Sequence, residues 1–257
     1  MRDILSAGNR NILKGFASPD TLVAFDFDGT LAPIVRDRNR AALRPGTRTL
    51  LAGLAACYPC AVISGRRKSD IRNRLSGTGI KDIVGNHGIE PWSTSPALEK
   101  AVRRWLPLLE AALGQFRAVE IENKRFSVAV HYRGEVRKPA ARRAIKTVTR
   151  KLGAVRLIGG KQVVNILPAM APHKGLAFER LLHQSGCDKA IYVGDDDTDE
   201  DVFAIPCHGR TLTIRVGLNR DSLAGFYIRN QRDIDRLIRL LMDLRAGRRA
   251  SQQALTR

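Results

Sequence analysis

Four short apolar runs constrain the fold of this chain more than any other feature: LVAFDF at 22–27, CAVIS at 60–64, DIVGN at 82–86 and AIYVGD at 190–195. Each is near-continuously hydrophobic and lacks the in–out alternation of a half-exposed strand. Such runs are expected where a strand is buried on both faces of a parallel sheet. Helical patterns lie between or beside them: TRTLLAGLAA, HKGLAFERLLHQ, DEDVFAI, and IDRLIRLLMDLRAG closing at Gly247. Strands alternating with helices predict an open α/β sheet. The length, 257 residues, allows one large domain or two modest ones. Hydrophobic residues make up 44% and aromatics 5%, enough for an aliphatic core and incompatible with wholesale disorder.

The middle third has another period. FRAVEIENK (116–124) and SVAVHYR (127–133) alternate, separated by Arg125-Phe126, and predict an antiparallel hairpin. A helix from about Val136 to Leu152 and strands near VRLIGG and QVVNIL follow. This predicts an α+β cap domain over 92–168, inserted between core segments 1–91 and 169–257. Period two places Val119, Ile121, Val128, Val130 and Tyr132 on one hairpin face. Glu122, Lys124, His131 and Arg133 fall on the other, polar face. The tail from Arg245, with four Arg and no acid, reads as a frayed, solvated end.

Charge narrows the partners. There are 44 Lys/Arg against 25 Asp/Glu, a net +19 that favours anionic ligands. Ten Lys/Arg and one acid lie between His131 and Lys161, yet Tyr132 is the only aromatic there. Nucleic-acid binding with stacked bases calls for interleaved aromatics, so that partner is not expected. The longest uncharged stretch, Thr49 to Gly65, is too polar for a membrane span. MRDILSAGNRNILKGF lacks the apolar region of a secretory signal. The expectation is a cytoplasmic protein without a membrane partner, and nothing in the sequence specifies an oligomeric state. Four cysteines (57, 60, 187, 207) make no disulfide scaffold. Cys57 and Cys60 form a lone CxxC, with Cys207 and His208 the only loose candidates to complete a zinc site; buried structural thiols are expected instead.

The chemistry collects at the ends of the apolar runs. Asp26-Phe-Asp28-Gly29-Thr30 follows the first, at the carboxyl end where open α/β sheets bind ligands. Two carboxylates at i and i+2 can divide labour, one as nucleophile and metal ligand, the other as proton shuttle. Ser64-Gly65-Arg66 ends the second run, where a hydroxyl and a Gly N–H can cradle phosphate. Lys174-Gly175 opens a predicted helix, where a cation can neutralise phosphate. Six of the 25 acids crowd into Asp195–Asp201, after the last run. Massed like charges repel unless a cation offsets them, and Mg²⁺ suits a few carboxylates plus a phosphate. Thr198 or Asp197 is also placed to cap the helix DEDVFAI.

This ordered set resembles the haloacid dehalogenase superfamily, a Rossmann-like parallel sheet core with a cap. GNHGIE (85–90), IENKRFSVAVHYR (121–133) and GDDDTDEDVF (194–203) narrow the resemblance to the trehalose-6-phosphate phosphatase family, from about Thr21 to Arg245. The resemblance implies Asp26 as nucleophile, Asp28 as general acid/base, and Ser64, Gly65 and Lys174 on the phosphoryl group. It implies Mg²⁺ held by Asp26, the Asp28 carbonyl and Asp195, with Asp199 near the metal. It implies substrate contacts from Arg66, Asn86, His87, Glu122, Lys124, His131, Arg133 and the position of Asn165. One departure is visible: Asn165-Ile166-Leu167-Pro168 stands where the family usually has a Glu that binds sugar hydroxyls. Trehalose 6-phosphate is the expected substrate; the alternatives are another glycosyl phosphate such as glucosylglycerol phosphate, a sugar phosphomutase reaction, and a nucleic-acid-binding protein on a borrowed fold.

Overall fold

In the computed structural model, which describes residues 1–160, 162–206 and 209–255, the apolar runs become the centre of a seven-stranded parallel sheet. The elements in chain order are β1 (Arg2–Asp3), α1 (Arg10–Gly15), β2 (Thr21–Phe25), α2 (Pro45–Ala55), β3 (Cys60–Ile63), α3 (Lys68–Arg74) and β4 (Asp82–Val84). Then come α4 (Pro96–Leu113), β5 (Glu120–Asn123), β6 (Val128–His131), α5 (Lys138–Thr149), β7 (Val155–Gly160) and β8 (Val163–Pro168). The chain finishes with α6 (Lys174–Ser185), β9 (Lys189–Gly194), α7 (Glu200–Phe203), β10 (Thr211–Val216), β11 (Phe226–Ile228) and α8 (Ile234–Leu255).

The large sheet has the order β1-β11-β10-β9-β2-β3-β4, every pair parallel. Alternation within the buried strands sorts side chains to two helix layers. Val23, Phe25, Val62, Ile191 and Val193 join one core with Leu13, Leu51, Leu54, Leu237 and Leu241, which belong to α1, α2 and α8. Leu22, Ala24, Ala61, Ile63, Ala190 and Tyr192 join the other with Phe178, Leu181 and Val202, from α6 and α7. Both faces are covered, so an unbroken apolar run is the pattern these strands require.

Between β4 and α6 lies a four-stranded antiparallel sheet of order β5-β6-β8-β7. Its apolar face, including Val119, Ile121, Val128, Val130 and Tyr132, packs on Val102, Trp105 and Leu109 of α4 and Ile145 and Val148 of α5. Its opposite face carries polar side chains towards the parallel core.

Two expectations are corrected. Gly247 does not end the last helix, which continues to Leu255; one glycine costs a helix only about 1 kcal/mol and need not break it. Arg245 is buried rather than solvated. Among the described cysteines only Cys60 is buried, while Cys57 and Cys187 are half-buried and all three are free thiols. Cys207 and His208 lie outside the described residues. Among the described residues, no helix is long and apolar enough to cross a membrane.

Candidate active site

Parallel pairing of β2 with β9 brings the acidic motifs together. Phe25 lies opposite Val193, and the Asp26 amide donates to the Val193 carbonyl at 2.8 Å. Asp26 and Asp195 therefore leave adjacent strands at the same edge. Lys174, in the first turn of α6 and 1% exposed, reaches between them. Its ammonium donates to Asp26 Oδ1 and Asp199 Oδ1, both at 2.8 Å, and lies 3.7 Å from Asp196 Oδ1. Burial alone would lower its pKa; the three carboxylates outweigh that and hold it well above the usual lysine value.

Asp199 organises the acidic loop. Its Oδ1 also accepts from Tyr192 at 2.7 Å, and its Oδ2 accepts from the Asp195 and Asp196 amides at 2.8 and 3.0 Å. The N–H groups at the start of this loop are thus satisfied by Asp199, while Thr198 donates to Asp196 Oδ1 through its amide (2.9 Å) and hydroxyl (2.6 Å). The expected cap by Thr198 or Asp197 is replaced: Asp199 is the residue preceding α7.

Carboxylate oxygens of Asp26, Asp195 and Asp199 lie within 4.8 Å of one another. Burial, then the charges of Asp199 and Asp196, pushes the Asp195 carboxyl up to about 7. That is the signature of crowded anions, which a hard divalent cation with oxygen ligands would relieve. Gly29 leaves the room: at φ +91° it bears no side chain, and a Cβ there would overlap the Asp195 carboxylate. The Asp26, Asp195 and Asp199 carboxylates fit a divalent cation, although both Asp199 oxygens already accept from Lys174, Tyr192 and two amides.

Asp28 is differently engaged. Arg66 clamps it in a bidentate pair, Nε to Oδ2 at 2.6 Å and Nη2 to Oδ1 at 2.8 Å. Arg66 also donates to Asp70 (2.9 Å) and to the Arg38 carbonyl (2.8 Å), so its fork is filled within the protein. Ser64 is buried at the end of β3, its hydroxyl accepting from the Arg66 amide at 3.2 Å. Gly65 lies against the His87 ring and could not carry a Cβ.

The polar face of the antiparallel sheet closes over this edge. Lys124, 7% exposed, donates to the Gly65 carbonyl at 3.0 Å and to Asn165 Oδ1 at 3.1 Å; burial lowers its pKa, against the pull of Glu122 and Asp28. Glu122 Oε2 lies 3.0 Å from His131 Nε2 and 3.3 Å from Arg38 Nη1. Burial would raise Glu122, but the His131 hydrogen bond and the Lys124 and Arg38 charges hold it at about 2. Asn86 is spent on bridging, donating to Glu90 (2.8 Å) and the Lys124 carbonyl (3.1 Å) and accepting from Ser127 (2.6 Å). His87 is buried with neither ring nitrogen hydrogen-bonded, and burial with Lys124 and Lys174 nearby lowers it to about 3. Arg133 donates to the Val35 and Arg36 carbonyls at 2.9 and 3.1 Å.

Arg38, Asp70 and Tyr192 escaped the sequence reading, and Thr30 was read there only as part of the loop after β2. Thr30 donates to Asp195 Oδ1 at 3.2 Å. Tyr192 carried a usable signal, the one hydroxyl in an otherwise apolar strand; Arg38, in a run of basic loop residues, carried none.

Solved structures share this architecture. The C-terminal domain of Candida albicans trehalose-6-phosphate phosphatase superposes with a TM-score of 0.77 at 21% identity, covering 91% of this chain and 97% of that one. The sucrose-phosphatase of Synechocystis sp., in complex with sucrose and phosphate, gives 0.54 at 14%, covering 88% and 98%. Parallel core, strand-end carboxylates and inserted α+β unit together define a fold of the haloacid dehalogenase class. A family model described as trehalose-phosphatase matches residues 24–211. The chain is 36% identical over 222 residues to the trehalose-phosphate phosphatase of Mycobacterium tuberculosis, covering 79% of this chain and 56% of that protein. It is 30% identical over 282 residues to probable trehalose-phosphate phosphatase 9 of Oryza sativa subsp. japonica, covering 93% and 75%. The chain belongs to the trehalose-phosphatase family, and it spans about half the length, 56%, of the mycobacterial relatives it matches.

Proposed function

We propose that the protein hydrolyses trehalose 6-phosphate to trehalose and phosphate through an aspartyl-phosphate on Asp26, with Mg²⁺ as cofactor. The observation that carries this reading is the buried Lys174 ammonium joining Asp26 and Asp199 at 2.8 Å each. It fixes Oδ1 of Asp26 and leaves the second oxygen to attack phosphorus. As that bond forms, the bond from phosphorus to the sugar oxygen breaks, and protonated Asp28 gives its proton to the departing oxygen. Asp28, now a carboxylate, takes a proton from water, which displaces Asp26 from phosphorus and regenerates it. In this reading Ser64 and the Gly65 amide bind the phosphoryl oxygens. A divalent cation held by Asp26, the Asp28 carbonyl and Asp195 would offset the charge on the transferred group.

Segment 92–168 acts in this reading as a cap that reads the sugar. Glu122, Lys124 and His131 present polar groups for hydroxyls, and His87 offers two ring nitrogens that lack protein partners. Names of relatives in the family support trehalose 6-phosphate as substrate. A second reading, another glycosyl phosphate, is favoured by Asn165, whose amide oxygen is already taken by Lys124.

A phosphate-release screen over sugar phosphates tests both. Trehalose 6-phosphate is expected to give the highest kcat/KM with Mg²⁺, EDTA to abolish release, and Mg²⁺ to restore it; a faster glycosyl phosphate would favour the second reading, and full activity in EDTA would remove the metal. Lys124→Ala is expected to lower kcat/KM for the sugar phosphate by about 10–100-fold, the equivalent of one hydrogen bond to a charged group, and for p-nitrophenyl phosphate much less. Equal losses would make Lys124 a support of the fold.

A further inference from the structure

We propose that the outer helical layer of the inserted α+β unit docks on an anionic phospholipid surface; the inference stands apart from the phosphatase reading and does not rest on it. α4 and α5 lie on the apolar face of the antiparallel sheet, burying Val102, Trp105 and Leu109 from one and Ala141, Ile145 and Val148 from the other. They run side by side in opposite directions. Arg137, before α5, stacks on Phe116, after α4, and donates to the Gln115 carbonyl at 2.9 Å. At the other end the Trp105 indole donates to the Leu152 carbonyl at 3.0 Å. Helices of 18 and 12 residues laid together make a broad face, about 27 Å long and about 20 Å wide. The sheet's polar side, with Glu122 and Lys124, is turned the opposite way.

Cations crowd the exposed side of this layer without acidic partners. Arg142, Arg143 and Lys146 stand exposed along α5, as do Lys100 and Arg104 on α4. Arg150 and Lys151 follow α5, where the helix dipole also favours them. Among the described residues none of these side chains forms an ion pair or a hydrogen bond. The two helices carry only two acids, Glu99, spent on Arg103 and Arg125, and Glu110. Lys146 stands four residues from both Arg142 and Arg150, a like-charge spacing that destabilises a helix. Large apolar side chains accompany the cations: Val136, just before α5, is 92% exposed and Leu108 of α4 is 44% exposed. Leu157 of β7, also exposed, lies on the helix-covered side of the sheet, since it pairs with Ile166 of that core.

Unpaired cations call for a polyanion, and the breadth and apolar content of the face choose among polyanions. A duplex groove about 12 Å wide admits one helix and not two side by side. A nucleic-acid backbone offers nothing to Val136 or Leu108, and single strands would need exposed aromatics to stack on. A lipid headgroup layer is planar, meets all of the cations at once and accepts apolar side chains at shallow depth. The expectation of no membrane partner rested on the lack of a span; lying on a surface asks for cations and a shallow apolar contact instead.

The test is co-sedimentation of the purified full chain with large vesicles of phosphatidylcholine, alone or with about one third phosphatidylglycerol. Mixed vesicles are expected to bind it at about 0.05 M salt and release it at about 0.5 M, and neutral vesicles to bind at neither. Arg142→Gln, Arg143→Gln and Lys146→Gln together should weaken binding roughly 100-fold, each cation near an anionic leaflet contributing roughly fivefold. Arg220→Gln, Arg236→Gln and Arg239→Gln, the same charge change at exposed positions elsewhere, should stay within about threefold of wild type. Val136→Ser should weaken vesicle binding by about three- to tenfold. Unchanged thermal unfolding of each variant, expected for exposed side chains, separates lost docking from lost fold. Equal losses in the two triple variants would assign binding to net charge and overturn the proposal. So would equal binding to neutral vesicles, or a duplex DNA that binds this face, weakened by the same α5 variant, while anionic vesicles do not bind.

Discussion

Asp26→Asn is expected to lower kcat on the order of 10⁴-fold or more, because the variant loses the carboxylate proposed to attack phosphorus. An amide oxygen is a poor nucleophile, and the carboxylates of Asp199 and Asp28 are not free to take over. Asp199 has its oxygens occupied by Lys174, Tyr192 and two amides, and Asp28 is held by Arg66. The fold should survive the change, since the side chain is nearly isosteric and the backbone bond from Asp26 to Val193 is untouched. Activity within a hundredfold of wild type, measured on purified and folded protein, would move the nucleophile elsewhere.

Lys174→Met is expected to be the most destabilising substitution in the site. The methionine fills similar volume, so packing changes little, but Asp26 and Asp199 lose a buried cation at 2.8 Å and Asp196 loses one at 3.7 Å. Removing one partner of a buried ion pair costs about 3–5 kcal/mol. For a chain of this size that is a Tm lower by roughly 6–20 °C in metal-free buffer. Adding Asp26→Asn to Lys174→Met should return part of the loss, because the remaining carboxylates then repel less. A metal-free Tm within 2 °C of wild type, read by calorimetry, would show that these carboxylates are protonated or hydrated and not dependent on Lys174.

The contrast between Asp26 and Asp28 shows what the sequence could and could not convey. Asp26 was legible because its environment follows from local rules: an apolar run buried on both faces ends there, and parallel pairing must set its neighbour's end beside it. The face assignment of Glu122, Lys124 and His131 was legible for the same reason, since period two fixes sides in any strand. What surrounds Asp28 depends on side chains that reach across loops. Arg66, 38 residues away, was read as a substrate contact and not as a partner of Asp28, and Arg38, one of several arginines in a basic turn, was not singled out at all. Asn86 illustrates the same limit. The motif containing it was visible, but its amide ties Glu90 to Lys124 and Ser127 across two sheets. The helix running through Gly247 was missed because a local breaker was weighed without the tertiary packing that overrides it.

The position of β2 in the sheet governs when this site can exist at all. β2 is flanked by β3, 35 residues downstream, and by β9, which begins only at Lys189. A growing chain can pair β2 with β3 and β4 early, but one edge of β2 stays open until more than a hundred further residues have been made. Exposed apolar strand edges invite mispairing with other chains. Closing that edge with β9 is the same event that delivers Asp195 and Asp199 to Asp26, with Lys174 arriving on the helix just before. Recovery of phosphatase activity during refolding should therefore trail the first appearance of sheet structure, and the interval between the two is when the molecule is most exposed to aggregation and to chaperone capture.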